Sequence, residues 1–78
     1  METWLVRLDF PAHLFDVPVI NQLIRRYDVT FNIQSAHIDR NGGQVEIYLT
    51  GSPQVLQAAI DWLDGRGITT HTLTKQKT

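Results

Sequence analysis

Cysteine is absent from this chain, which removes disulfides, thiolate metal sites and cysteine-held iron–sulfur clusters at the outset. A basic excess is absent too. Seven Lys and Arg stand against eight Asp and Glu, a formal net charge of -1, so the clustered cationic footprint of a nucleic-acid binder is missing. No apolar run approaches the roughly 18 residues needed to cross a bilayer. The start, Met1-Glu2-Thr3-Trp4, lacks the basic stretch and apolar block of a signal peptide, so the expected location is cytoplasmic. His13, His37 and His71 lack the short spacing of metal ligands. The carboxylates Asp9, Asp16, Asp28, Asp39, Glu46, Asp61 and Asp64 are scattered, with no acid/base pair among them. The expectation is a protein without catalytic residues, metal or cofactor.

What remains is an ordinary globular composition, with 78 residues and 42% apolar side chains. That length holds one domain, with a core over about 3–74 and a frayed tail at 75–78. A chain this short buries only about 60% of the surface its unfolded form exposes. Pairing with a second copy is one remaining way to bury more.

One stretch stands out, Phe31 to Asp39. Val29, Phe31 and Ile33 mark one face at period two, whereas Ala36 and Ile38 carry the apolar side in the opposite register. A regular strand alternates strictly between its faces. A bulge near Gln34-Ser35 repairs the phase and lets both halves bury their apolar residues. It also leaves the amides of Asn32 and Gln34 beside a distorted backbone, able to donate and accept hydrogen bonds.

The remaining pattern supplies the other elements. Trp4, Val6, Leu8 and Phe10 alternate with Thr3, Leu5, Arg7 and Asp9, a half-buried strand ended by Pro11. His13 to Val17 connects it to a helix whose start is marked by Asp16 and Pro18. Val19, Ile20, Leu23, Ile24 and Tyr27 form its apolar stripe, and Arg25-Arg26 its solvated end. A second strand covers about Val29 to Arg40, and Asn41-Gly42 predicts a type I′ hairpin turn. The third strand turns Val45, Ile47 and Leu49 inward and Gln44, Glu46 and Tyr48 outward. Ser52-Pro53 opens a second helix with Val55, Leu56, Ala59, Ile60 and Leu63 on its stripe and Ala58 and Trp62 on its flank. Gly65 and Gly67 stop it, and Ile68 to Thr74 makes a fourth strand.

The order βαββαβ predicts an α+β, ferredoxin-like sandwich, with a four-stranded antiparallel sheet and two helices on one face. Right-handed crossovers put strands one and three at the centre and two and four at the edges. The irregular strand is then an edge, whose outer backbone must meet water, a ligand or a second chain. The open face carries Leu5, Arg7, Glu46 and Tyr48, which leans towards a homodimer. No glycine-rich phosphate loop follows the first strand, against an acylphosphatase-like enzyme of the same topology. An RNA-binding sheet would want more than Tyr48 as an outward aromatic, and Glu46 and Asp9 oppose phosphates.

The ordered set of motifs resembles a NIL domain, the ACT-like module at the C-terminus of methionine-importer ATPases and of some ferredoxin fusions. The resemblance runs over about residues 3 to 73. Its pieces are Arg7-Leu8 with Phe10-Pro11, the helix entry Pro18 to Leu23, and Asn32-Ile33 with Ser35-Ala36 and Ile38-Asp39. Gly51, Ala58-Ala59, Leu63 and Gly67 complete it. One position departs, since Gln34 stands where the family's Asn-Ile-Leu has leucine.

The resemblance implies a non-catalytic regulatory domain that pairs with a second copy and binds a small amino acid such as methionine. Asn32 stands at the family position associated with binding. Ile33 and Ala36 would shape an apolar contact and Ser35 would offer a hydroxyl, with Gln34 and Ile38 completing the ligand-binding set. Leu5, Phe31, His37 and Tyr48 are the expected interface. The transporter's ATPase is missing from the chain, which points to a free-standing copy with an unknown downstream partner. The alternative is a protein–protein adaptor that kept the fold and lost the ligand.

Overall fold

The computed structural model describes residues 1–14 and 17–77. Its elements are β1 (Glu2–Pro11), a 3₁₀ turn (Ala12–Leu14), α1 (Val19–Arg26), β2 (Thr30–Asp39), β3 (Gly42–Gly51), α2 (Pro53–Gly65) and β4 (Thr69–Lys77). The sheet is antiparallel with order β2-β3-β1-β4. The expected ferredoxin-like sandwich is therefore present, with β1 and β3 central and β2 and β4 at the edges.

Trp4, Val6 and Leu8 of β1 and Ile47 and Leu49 of β3 are buried beneath the helices. Val19 and Leu23 of α1 meet them, as do Leu56, Ala59, Ile60 and Leu63 of α2. The stripe of α1 is narrower than its spacing suggests. Ile20 and Tyr27 are half-buried and Ile24 is exposed. Pro18 directly precedes the first helical residue, and its partner in the start signal, Asp16, lies outside the described residues.

Helix α2 begins and ends on its expected signals. The Val55 N–H donates to Ser52 Oγ at 3.3 Å, with Pro53 in the first helical position. At the far end Gly67 has φ +90°, the Gly67 N–H donates to the Asp64 carbonyl, and the Ile68 N–H reaches back to Leu63. This is a Schellman stop, sealed by the buried Leu63 and Ile68 side chains. Gly67 carries the stop, while Gly65 is the last helical residue.

Two local expectations are corrected. The hairpin loop is Arg40-Asn41, one residue earlier than the Asn41-Gly42 signal, with Asp39 paired to Gly42. No non-glycine residue among those described has positive φ, so the turn is not type I′. The Asn41 N–H instead donates to Asp39 Oδ1 at 2.8 Å, a side-chain turn that draws the loop back by one position. Gly42 is still required, because its φ is +146° and a Cβ there would stand 2.8 Å from the Phe10 carbonyl oxygen.

Residues 75–77, expected to fray, are paired strand. Lys75, Gln76 and Lys77 lie opposite Trp4, Thr3 and Glu2, and Lys75 Nζ sits 4.1 Å from the Trp4 ring centroid. Because β1 starts at Glu2, it offers a full ladder to the end of β4. Thr78 lies outside the described residues.

The close approach at Gly42 makes a test. Gly42→Ala is expected to destabilise the protein by about 1–3 kcal/mol, read as a lower urea midpoint at unchanged slope. An unchanged midpoint would contradict the observed turn.

Candidate functional site

The irregular stretch of β2 is bulged where the alternation slips. Ile33 pairs with Ile47 and Ser35 with Glu46, so Gln34 is the extra residue without a partner on β3. Paired residues share a face. Phe31 and Ile33 therefore join the helix side before the bulge, and Ala36 and Ile38 join it after the bulge, opposite Val45 and Gly43.

The register is as expected, but the burial is not. Ile33 is 60% exposed and Ile38 61% exposed, Ala36 is exposed, and only Phe31 is half-buried. The cause is the reach of the helix layer. Helix α1 has 8 residues, about 12 Å of length, against about 33 Å for the 10 residues of β2. Covering either isoleucine would contribute about 1–2 kcal/mol, scaling the burial of a whole side chain by the fraction exposed.

The six expected ligand residues fall on both sides of the edge. Asn32 and Ser35 lie on the open face, opposite Tyr48 and Glu46, and Gln34 is exposed at the bulge. Ile33, Ala36 and Ile38 lie on the helix side. One segment gathers them along the edge, but they do not converge on a single concavity.

The expected interface residues are distributed more widely. Leu5 and Tyr48 face each other, half-buried, at the centre of the open face, and Asn32 and Thr74 extend their row to the two edges. His37 lies on the open side of β2, opposite Gln44, and Phe31 on its helix side. Polar contacts occupy the rest of that face. Thr3 and Thr50 hydroxyls are 2.9 Å apart, Arg7 Nε is 3.7 Å from Asp9 Oδ1, and His71 Nε2 is 3.3 Å from Asp9 Oδ2.

An apolar cavity of about 230 Å³ lies at the hairpin end of the helix face. Its walls include Phe10, Leu14, Val17, Ile20, Ile38 and Val45. An apolar cavity of about 150 Å³ accepts a benzene-sized guest, so this one has room for an aliphatic or thioether side chain. Of the six expected ligand residues it takes in Ile38 alone. The rest of the wall was not singled out from the sequence, although apolar Leu14 and Val17 in a connecting segment were a readable signal. A second, polar concavity on the open side includes Asp9, His37 and Asp39. Among the described residues no group of three His, Asp or Glu could hold a metal ion.

Trp62 joins the solvated end of α1 to α2. The Arg26 and Arg66 guanidinium carbons lie 5.6 and 5.4 Å from the Trp62 ring centroid, and Tyr27 meets the ring edge-on at 6.4 Å. Arg66 also donates to Gln22 Oε1 at 3.0 Å. Arg26 is exposed to solvent yet ties α1 to α2, each cation–π contact adding about 0.5–1 kcal/mol. Trp62 is thus a packing residue between helices.

The NIL domain family model matches residues 4–71. The chain belongs to the NIL domain family. This NIL domain is similar to the methionine import ATP-binding protein MetN of Cupriavidus necator, 39% identical over 66 residues, covering 80% of the chain. MetN of Escherichia coli K12 is 41% identical over 63 residues, covering 76% of it. The chain spans only 19% and 18% of those two proteins' lengths. Among solved structures it is similar to the C-terminal domain of an ABC transporter ATP-binding protein from Enterococcus faecalis, with a TM-score of 0.80 and 27% identity. That match covers 90% of this chain and 82% of the other. Among the described residues no helix is long and apolar enough to cross a membrane.

The bulge itself can be removed. Ile33 and Ser35 already oppose consecutive residues of β3, so deleting Gln34 completes the ladder without moving either half. The deletion variant is expected to fold with stability within about 1 kcal/mol of the parent, measured by urea denaturation. Loss of folding would show that the bulge is structurally required.

Proposed function

We propose that this NIL domain is a non-catalytic regulatory module that works as a pair and binds a small amino acid, with methionine the first candidate. The observation that carries the reading is the uncovered, bulged edge of β2. It presents an amide and a hydroxyl, Asn32 and Ser35, on one side and Ile33, Ala36 and Ile38 on the other. The apolar cavity beginning at Ile38 adds room for a side chain. A zwitterionic amino acid with an apolar side chain matches that combination of hydrogen-bonding groups and apolar wall. The names of the relatives supply methionine as the ligand to try, and their ATP-binding character makes the cytoplasm the expected location.

Regulation follows from linkage. A ligand that prefers one arrangement of the paired copies shifts the population towards it, and a downstream partner reads the shift. The adaptor reading keeps one specific observation in its favour, Gln34 in place of the leucine of the NIL signature. In that reading the same edge serves only to hold another protein.

Calorimetric titration with methionine and the other proteinogenic amino acids separates the two. Methionine is expected to bind, and Asn32→Ala to weaken it by about tenfold or more, the loss of one to two hydrogen bonds. Silence with every amino acid favours the adaptor, and full affinity in Asn32→Ala moves the site away from Asn32.

A further inference from the structure

Ionic contacts on this molecule are few. Among the described residues they join Arg7 and His71 to Asp9, all on the open face of the sheet. The cations of the helix layer have none. Arg25, Arg26 and Arg66 stand exposed at the ends of α1 and α2, and no described carboxylate lies within ion-pair reach of them. Asp61 and Asp64, beside Trp62 in the chain, are engaged by neutral donors instead. Asp61 accepts from Gln57 Nε2 at 3.0 Å and Asp64 from Thr70 Oγ1 at 2.8 Å.

Two of these cations are nonetheless held in place. Arg26 and Arg66 both lie over the indole of half-buried Trp62, with Tyr27 at its edge. A cation–π contact engages the cation as a whole and leaves its N–H groups for oxygen acceptors. Each guanidinium carries five such donors. Among the described residues Arg26 makes no side-chain hydrogen bond, and Arg66 makes one, to Gln22 Oε1. Trp, Tyr and Arg are also the side chains that dominate binding energy at protein interfaces. Ordering long side chains is a main cost of association, and here the indole meets part of it in the free protein.

We infer that Arg26, Trp62 and Arg66 form a docking surface for an acidic segment of another protein, whose carboxylates take the free guanidinium donors. Carboxylate is the matching chemistry because its two oxygens meet the guanidinium fork in a bidentate pair. A protein segment fits better than a small anion because the cluster is exposed and the two concavities described above lie elsewhere. A small anion here would have no wall around it, whereas a chain brings several carboxylates and an apolar contact for the indole. The surface gives the downstream partner of the proposed regulatory module a place to hold. None of its residues belongs to β2 or to the walls of the apolar cavity, so it stands or falls separately from amino-acid binding.

The test adds octaglutamate peptide to the isotopically labelled full chain and follows it residue by residue by NMR, with octaglutamine peptide and inorganic phosphate in separate arms. Octaglutamate is expected to shift the Trp62 indole N–H and the Arg26 and Arg66 side-chain signals, and the other two probes to leave them in place. The double variant Arg26→Gln with Arg66→Gln is expected to weaken octaglutamate by about tenfold or more, the loss of charge-assisted hydrogen bonds. Arg40→Gln with Lys77→Gln, which removes as many charges from the hairpin and β4, is expected to leave the affinity within about twofold, because exposed charges at a distance are screened. Arg26→Lys with Arg66→Lys keeps the charge without the fork and is expected to fall between. Circular dichroism checks that each variant is folded. Equal weakening by the two charge-removing variants shows general attraction only and overturns the surface, as does silence towards octaglutamate. Phosphate that shifts the same signals as strongly as the peptide overturns the protein partner in favour of a small anion.

Discussion

The helix layer is too short for the sheet it covers. About 12 Å of α1 and a longer α2 lie over strands about 33 Å long, and the helix side of the edge strand β2 stays largely uncovered. The central strands are sealed, with Val6, Leu8, Ile47 and Leu49 fully buried. The same apolar face at β2 meets nothing in the monomer. That shortfall accounts for exposed Ile33 and Ile38 and for the cavity at the start of α1, walled on one side by β2 and β3.

The bulge at Gln34 makes the shortfall useful. Without an extra residue, Ala36 and Ile38 would fall on the open face and the edge would carry a mixed pattern on both sides. With it, one side of β2 is apolar from Phe31 to Ile38 and the other is polar, from Asn32 through Ser35 to His37. An edge with such sorting can receive an amphipathic ligand or a second strand. Elsewhere the elements are tied to one another. Arg26 and Arg66 clasp Trp62, Lys75 lies over Trp4, and the Schellman turn fixes the entry to β4.

Most of this was legible in the residues, for identifiable reasons. The phase break between Ile33 and Ala36 placed the bulge near Gln34-Ser35, and the register singles out Gln34, because strict strand alternation calls for a repair there. Ser52-Pro53 and Gly67 marked the limits of α2 through their own backbone chemistry. The uncovered state of Ile33 and Ile38 was not legible, since a strand pattern encodes which face is apolar but not how far the opposing layer reaches. The hairpin moved by one residue because the Asp39 carboxylate captured the Asn41 amide, a side-chain choice that outweighed the Asn-Gly preference. The slip at Leu73 had a trace in the sequence, an apolar residue in the wrong phase beyond Ile68, and the pairing of residues 75–77 followed from the early start of β1. The cavity was the least legible feature, being assembled from a connecting segment and four elements, β1, α1, β2 and β3.

The central claim is that the bulged edge of β2 is where this NIL domain meets its ligand, as proposed above. Residue-resolved amide hydrogen exchange reads both sheet edges in one experiment. The account predicts that main-chain amides of β2 from Asn32 to Ile38 become protected when methionine is added, while the outward amides of β4 exchange as before. Exchange along β2 that methionine leaves unchanged would contradict it.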